Sequence, residues 1–314
     1  GSRIGFDGLA RSVATKAMME NPENDIDAIL ITGPTASGKS ALALELAKRH
    51  GGEVINADSM QVYDTLRVLT ARPSEAEMAG VPHHLYGHVP AGASYSTGDW
   101  LREATGVVAD LRARGRLPVF VGGTGLYFKA LTGGLDDMPA IPEAIRTRLR
   151  ERLIAEGPEA LHTELKSRDP AVAARLGAQD GQRIVRALEV LEATGRSIAD
   201  FQGRGGPVVI DPARARKIVK LPDRSLLHQR INRRFEAMFD EGAVAEVEAL
   251  LRLGLSPEMP AMKAIGVSQI AAMLRGEMTP EQVVEVASAA TRQYAKRQMT
   301  WFRNQMDETW ERIG

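Results

Sequence analysis

Between an apolar run at 28–31 and a helical pattern from Lys39 sits Gly33-Pro34-Thr35-Ala36-Ser37-Gly38-Lys39-Ser40. No other stretch constrains the fold of this chain as tightly. It matches G-x-x-x-x-G-K-[ST] in full, in the strand-then-helix context that the motif requires. Its glycines let backbone N–H groups converge on an anion, and the first turn of the helix adds partial positive charge. Lys39 carries the charge that would meet a phosphate, and Ser40 the hydroxyl that would ligate Mg2+. The octapeptide predicts a phosphate site at the carboxyl end of a buried strand.

The flanking pattern agrees with that expectation. Ala28-Ile29-Leu30-Ile31 is apolar on both faces, as a strand inside a parallel sheet must be. A helix is predicted from Lys39 to His50, where Gly51-Gly52 stops it. A second strand, Glu53 to Asn56, ends at Ala57-Asp58-Ser59. A helix from Thr97 to Arg114 precedes a third strand, Leu117 to Val121, which ends at Gly122-Gly123-Thr124. The alternation predicts an α/β fold, a doubly wound parallel sheet, with active residues where strands end: Gly33, Asp58 and Thr124. From Pro142 to Gln202 only helical periodicity is present, with basic and acidic residues near balance. Strand-like patterns resume at Val208-Val209-Ile210 and at Ile218 to Leu221, and Ser225 to Phe302 reads as helical. The predicted organisation is a P-loop α/β core over 25–140 and 206–314, ending in a helical C-terminal region. A helical insertion domain spans 141–205. Residues 1–24 read as an irregular segment or a cloning remnant.

Composition removes whole classes of function. The chain has 314 residues, 44% of them hydrophobic, which is ample for a core. Forty basic residues offset forty acidic ones, so net charge points to no polyanion, although a local basic face would be hidden in the sum. With no cysteine, a disulfide scaffold, a thiolate nucleophile and a cysteine-ligated metal are excluded. That absence fits a cytoplasmic protein. No apolar run approaches the ~18 residues of a membrane span.

The kind of phosphate chemistry is less constrained. No Asn-Lys-x-Asp run is present to read a guanine base, and the strand at 119–121 ends in Gly-Gly-Thr instead of the aspartate of a motor-type ATPase. Asp58 is the available acid. At a strand end facing the loop it is a general-base candidate, and it also fits a turn or N-cap aspartate. On these residues alone, a small-molecule or nucleoside kinase using Asp58 as base remains open. His83, His84 and His88 fit no common ligand spacing and read as structural or surface residues. Arg183 and Arg186, three apart, are expected on one helix face, either solvated or functional.

Longer runs narrow the choice. Gly33–Ser40, Ile55–Tyr63, Gly80–Leu85, Tyr95-Ser96, Gly122–Leu131, Gln182–Val190 and Ala290–Gln298 together resemble the tRNA dimethylallyltransferase (tRNA isopentenyltransferase) family, in the family's order. The likeness extends from Ile29 to Phe302. It implies transfer of a dimethylallyl group from dimethylallyl diphosphate to N6 of the adenosine 3′ of the tRNA anticodon, with release of diphosphate and with Mg2+ as cofactor. Gly33, Pro34, Thr35, Ala36, Ser37, Gly38, Lys39 and Ser40 would then hold the diphosphate, with Ser40 on the metal. Lys39, Asp58 and Thr124 would be catalytic. The tRNA contacts implied are Asp58, Ser59, Met60, Gln61, Thr124, Arg146, Gln182, Arg183, Ile184, Val185, Arg186 and Lys263. The insertion would grip the anticodon stem-loop, and the protein would act as a monomer without a membrane. A catalytically silent RNA-binding protein would need none of Lys39, Ser40 and Asp58.

Three stretches depart from the family pattern. Leu69-Thr70-Ala71-Arg72-Pro73 stands where the family often has Gly-Thr-Ala-Lys-Pro, and Gly177 to Arg183 replaces Pro-Asn-Asp-Pro-Gln-Arg. Ser268 occupies a position that is usually basic.

The last expectation comes from periodicity. Over Glu281 to Phe302, about 100° per residue puts Val283, Ala287, Ala290, Tyr294 and Trp301 on one stripe. Arg292, Lys296 and Arg303 fall opposite, with no acid between Glu285 and Asp307. The prediction is an outward basic ridge, either solvated or paired with distant acids, or else touching the tRNA backbone.

Overall fold

A computed structural model describes residues 26–314; the reading of residues 1–24 lies outside the described residues. The six strands are β1 (Ala28–Thr32), β2 (Gly52–Asn56), β3 (His83–His84), β4 (Leu117–Val121), β5 (Ala215–Lys220) and β6 (Glu311–Ile313). They form one sheet in the order β3-β2-β4-β1-β5-β6, and every pair is parallel. β1 lies between β4 and β5 and is buried along its whole length, which explains its uninterrupted apolar run.

Register decides where the loops emerge. Val121 of β4 is level with Ile31 of β1 on one side and Asn56 of β2 on the other. Three adjacent strands therefore end at the same height, and the segments that follow them share one edge. In open α/β sheets this carboxyl edge is where ligands bind.

The connecting helices are α1 (Lys39–His50), α2 (Glu75–Met78), α3 (Thr97–Ala113) and α4 (Gly125–Leu131). α3 begins with a reciprocal cap: Asp99 N–H donates to the Ser96 hydroxyl, and Ser96 N–H to the Asp99 carboxylate. Its Trp100 is fully buried, stacks on Tyr127 at 4.3 Å and donates its indole N–H to the Asn56 carbonyl at 2.8 Å. α3 is thereby keyed to the end of β2.

Residues 143–194 form α5 (Glu143–Glu156), α6 (Pro158–Arg168), α7 (Pro170–Arg175) and α8 (Gly181–Thr194). They enclose an apolar cluster of their own, with Leu149, Leu161, Leu165, Ile184 and Leu188 fully buried. Burial of each such side chain stabilises by about 2 kcal/mol. Beyond the sheet lie α9 (Arg224–Glu241), α10 (Ala243–Arg252), α11 (Val267–Leu274) and α12 (Pro280–Gln305). α12 starts at Thr279, whose hydroxyl accepts from Gln282 N–H, with Pro280 in the first turn.

Several expectations need correction. Val208–Ile210 is not a strand: Val208 makes one antiparallel bridge to Thr132, and the N–H groups of Val209 and Ile210 both donate to the Leu131 carbonyl. The strand lies at Ala215–Lys220. The histidine-bearing loop contains a two-residue strand at the sheet edge, too short to show a period. The helical reading of 225–302 agrees with the structure, where four α-helices and a short 3₁₀ turn at Pro260–Lys263 span that range. The buried stripe of α12 runs through Val283, Ala287, Thr291, Ala295, Gln298 and Phe302, so Ala290, Tyr294 and Trp301 flank it. Among the described residues, no helix is long and apolar enough to cross a membrane.

Candidate active site

The loop Gly33–Ser40 leaves β1 with two residues in the left-handed region, Ala36 at φ 65° and Gly38 at φ 87°. Gly33 has no room for a side chain, since a Cβ would lie 2.6 Å from the Lys220 carbonyl oxygen and 2.7 Å from Ser37 Oγ. Ser37 is fully buried and its hydroxyl has no hydrogen-bond partner. A buried unpaired hydroxyl inside a loop of this shape is the chemistry expected of an anion cradle. Lys39 folds back toward the loop, with Nζ 3.3 Å from the Pro34 carbonyl. Burial lowers its pKa to about 8, with Arg234 lowering it further and Asp58 opposing both. Arg234, on α9, is likewise held below the usual guanidinium range by burial, against the opposite pull of Asp58. Lys39, Arg234 and Asp58 are thus near enough to act on one another electrostatically.

Asp58 follows β2 and is fixed by its neighbours. Its N–H donates to Asn56 Oδ1 at 2.9 Å, while Asn56 Nδ2 donates to the carbonyls of Asp58 and Leu85, each at 3.0 Å. Asp58 Oδ1 accepts from Met60 N–H at 2.8 Å and Gln61 N–H at 3.2 Å. Oδ2 lies outside these bonds, on the side of Gly123, where a Cβ would be 3.7 Å from it. The tyrosines Tyr86, Tyr127 and Tyr294 sit within the field of Asp58. Burial first, and that charge second, keep their hydroxyls protonated, with Tyr294 raised to about 12.

β4 supplies the third side. Thr124 Oγ1 accepts from Ser59 N–H at 2.8 Å and donates to Ser59 Oγ at 3.3 Å. The turn that carries it approaches β2 so closely that a Cβ on Gly122 would lie 2.1 Å from the Ala57 carbonyl carbon. α12 closes the site from outside. Gln298 is buried, accepts from Thr35 N–H at 3.2 Å and donates to the Gly123 carbonyl at 3.3 Å. Arg234 and Gln298 were not singled out from the sequence. An arginine and a glutamine on amphipathic helices read as solvated, and only the packing of α9 and α12 turns them inward.

A second feature opens beyond Met60. A cleft of about 1130 Å³ runs between the α3 start, α5, α8 and the Lys263 loop. Of the predicted tRNA contacts, Met60, Arg146, Gln182, Val185, Arg186 and Lys263 line it. Arg146 is buried, 2.8 Å from Asp99 and 3.8 Å from Glu189. Arg186 is 3.9 Å from Glu189, and Lys263 is 3.2 Å from Glu258. Burial lowers the Arg186 pKa and raises that of Glu189. Arg183 does not share this wall: it is 75% exposed beside Asp180, so the expectation of one shared face fails because α8 presents positions 182, 185, 186 and 189. The Ile184 side chain is in the insertion core. Arg292 and Lys296 are on α12 away from the cleft, with Arg292 donating to Asn232 Oδ1 at 2.6 Å. Ser40 is exposed on the first turn of α1.

His83 Nδ1 is 2.7 Å from the Val81 carbonyl, and His88 Nε2 is 3.0 Å from Glu103. His84 Nε2 is 2.8 Å from Glu53, a buried carboxylate that Arg114 and His84 hold well below the usual range, at about 2. Among the described residues, no cluster of three or more His, Asp or Glu is arranged to hold a metal.

A parallel sheet with a glycine–lysine loop, a carboxylate and a threonine at three level strand ends belongs to the α/β class suited to phosphorylated ligands at its carboxyl edge. Residues 61–305 match the family described as IPP transferase, and residues 26–86 the one described as isopentenyl transferase. A tRNA dimethylallyltransferase from Rhizobium leguminosarum bv. trifolii is 74% identical over 295 residues, covering 94% of this chain and 99% of that one. The solved tRNA isopentenylpyrophosphate transferase of Bacillus halodurans is similar at 35% identity and TM-score 0.63, over 91% of this chain and 89% of that one. A eukaryotic dimethylallyltransferase solved acting on tRNA is similar at 28% identity and TM-score 0.70, over 88% of this chain and 69% of that one. The chain belongs to the IPP transferase family.

Proposed function

We propose that this protein transfers a dimethylallyl group from dimethylallyl diphosphate to N6 of the adenosine 3′ of the anticodon in tRNA, releasing diphosphate. One observation carries the reading: the ends of β1, β2 and β4 are level, which sets a phosphate-type loop, Asp58 and Thr124 around one point, with the large cleft opening at Met60. The Gly33–Ser40 loop, Lys39 and Arg234 hold the diphosphate. As the carbon–oxygen bond of the donor breaks, negative charge grows on the leaving diphosphate, where these preoriented donors act most strongly. The adenine amine forms the new nitrogen–carbon bond, and Asp58 Oδ2 takes the proton that it loses. The residues fit Mg2+, which binds through substrate oxygens and water with few protein ligands; the Ser40 hydroxyl would hold it, and the ion would share the charge of the leaving group.

The acceptor base is stacked in a free anticodon loop and has to be extruded to reach Asp58. The cleft supports this role by its size and by the cations Arg146, Arg186 and Lys263 on its wall, each paired with a carboxylate. The cytoplasm, where tRNA resides, is the expected compartment. The test is turnover: labelled dimethylallyl diphosphate with unmodified tRNA should give label in tRNA and free diphosphate. ATP with nucleosides in place of these substrates should give no phosphoryl transfer. Phosphoryl transfer without prenylation would make the protein a kinase instead.

A further inference from the structure

The donor loop and the Thr124 turn leave adjacent strands, and their separation sets how far the donor carbon lies from the acceptor nitrogen. Near the sheet, backbone and side-chain bonds tie them: Thr32 Oγ1 donates to the Gly122 carbonyl at 2.8 Å, and Gly122 N–H to the Ile31 carbonyl at 3.1 Å. One step farther out, the side chain of Gln298 joins the two segments. Its Oε1 accepts from Thr35 N–H at 3.2 Å, and its Nε2 donates to the Gly123 carbonyl at 3.3 Å.

We propose that Gln298 is a positioning residue for the transfer step, its amide fixing the distance between the diphosphate loop and the acceptor turn. This inference rests on the functional reading above. Three observations carry it. Only a side chain that accepts at one end and donates at the other satisfies both partners, which a carboxylate, a cation or an apolar group cannot do. The bridge is buried, 7% exposed, where a lost hydrogen bond is not replaced by water. Finally, the glycines of the turn admit α12 at close range: a Cβ on Gly123 would lie 2.5 Å from Gln298 Nε2, and one on Gly125 would lie 2.3 Å from the Trp301 ring. The helix is seated on the turn by ring packing at Gly125 and reads both loops through Gln298.

Reacting atoms must sit about 3–3.5 Å apart, and a misplacement of about 1 Å costs on the order of 10²-fold in rate. Gln298→Met keeps length and volume but can neither accept strongly nor donate. It should lower kcat by roughly 10–100-fold, with the dissociation constant for tRNA within about twofold of wild type and the unfolding midpoint within a few degrees. Gln298→Glu should add a rise in KM for dimethylallyl diphosphate, because a carboxylate beside the loop repels the donor. Gly123→Ala retains Gln298 but displaces its amide, and should reproduce the kcat loss even if the Met variant folds poorly. Wild-type kcat in Gln298→Met or in Gly123→Ala would overturn the proposal. So would a loss of thermal stability accompanied by full kcat at a permissive temperature. Absence of transfer by the wild type would sink the functional reading itself, a result distinct from an unaffected variant of an active enzyme.

Discussion

At the carboxyl edge of the sheet, Asp58 is held by backbone N–H groups and Gly122 by contacts that leave no room for a methyl. At the wall of the cleft, Arg146, Arg186 and Lys263 are held by carboxylates on side chains. The two regions meet at Met60 and differ in how readily they rearrange. Groups fixed by backbone do not reorganise during a reaction, which is what stabilising a developing charge requires. An arginine paired with a carboxylate can exchange that partner for a phosphate, since both offer the same forked acceptor geometry. On the function proposed above, the edge serves the chemistry and the cleft receives a partner that arrives already charged.

If that division holds, variants at the edge should change rate constants and leave tRNA affinity nearly alone. Asp58→Asn is expected to have the largest effect. The amide preserves size and keeps an oxygen for the Met60 and Gln61 N–H groups, but it cannot take a proton. Loss of a general base lowers kcat by about 10²–10⁴-fold. Steady-state kinetics should show that fall with donor KM little altered. A variant that lost only donor affinity would make Asp58 a donor or metal ligand and would move the base elsewhere.

Lys39→Ala comes next, with transfer reduced by about 10²–10³-fold through loss of charge at the leaving group. Filter binding should find tRNA affinity within a few-fold of wild type, because Lys39 does not line the cleft. A large loss of tRNA affinity would erase the distinction between the two regions.

The pH dependence sharpens the same contrast at smaller amplitude. Burial lowers the Lys39 pKa from its ordinary 10.5 to about 8. Between those values the unfolded chain binds more protons than the folded one, so this group favours the folded state increasingly as pH rises from 8 toward 10.5. Below pH 8 the charge is retained at a cost, and a bound anion relieves that cost. Pyrophosphate affinity, measured by calorimetry and corrected for the ligand's own proton equilibria, should carry no Lys39-dependent change up to about pH 8. It should then fall by up to about tenfold per unit while Lys39 loses its proton. The Lys39→Met variant should bind weakly at every pH and show no such bend; a bend that persists would assign the titration to another group.

How much of this was legible in the sequence differs between the same two regions. The edge was readable because its geometry is encoded locally. A buried parallel strand has to be apolar, its loop has to contain glycine, and Asp58 and Thr124 are placed by counting to strand ends. β3 was not readable, because two residues at a sheet edge carry no period. Val208–Ile210 misled because a β-branched run next to Gly206-Pro207 has strand composition, yet it makes only one bridge to Thr132. The cleft depends on how α8 is rotated against its own core: Ile184 and Leu188 turn inward, and that rotation sends Arg186 to the cleft and Arg183 to solvent. Arg234 and Gln298 belong to neither local code. They reach the site only because α9 and α12 pack on the sheet, which no single-helix pattern reveals.

α12 offers the smallest and most discriminating effect, because it serves both regions at once. Its inner face carries Gln298 to the edge. Its outer face carries Lys296 and Arg303, both exposed, with Arg292 partly exposed and bonded to the neutral Asn232 amide. None of the three is paired with a carboxylate within 4 Å among the described residues, unlike Arg146, Arg186 and Lys263 at the cleft. Cations without acidic partners are available to phosphates without first breaking an ion pair. If all three touch the tRNA backbone, changing them together to alanine removes three counterion-release contacts. The log–log salt dependence of binding should then flatten by roughly 2–3 units, at about 0.7–0.9 per phosphate. Single-turnover transfer at saturating tRNA should be unchanged, because the variant alters only encounter and grip. Titrations at several salt concentrations decide the matter: parallel plots for wild type and variant would reduce the ridge to a solvated face, leaving the cleft as the whole of the tRNA surface. A flattened plot with slowed single-turnover transfer would instead mean that the outer face of α12 communicates with Gln298, and the two regions would no longer be separable.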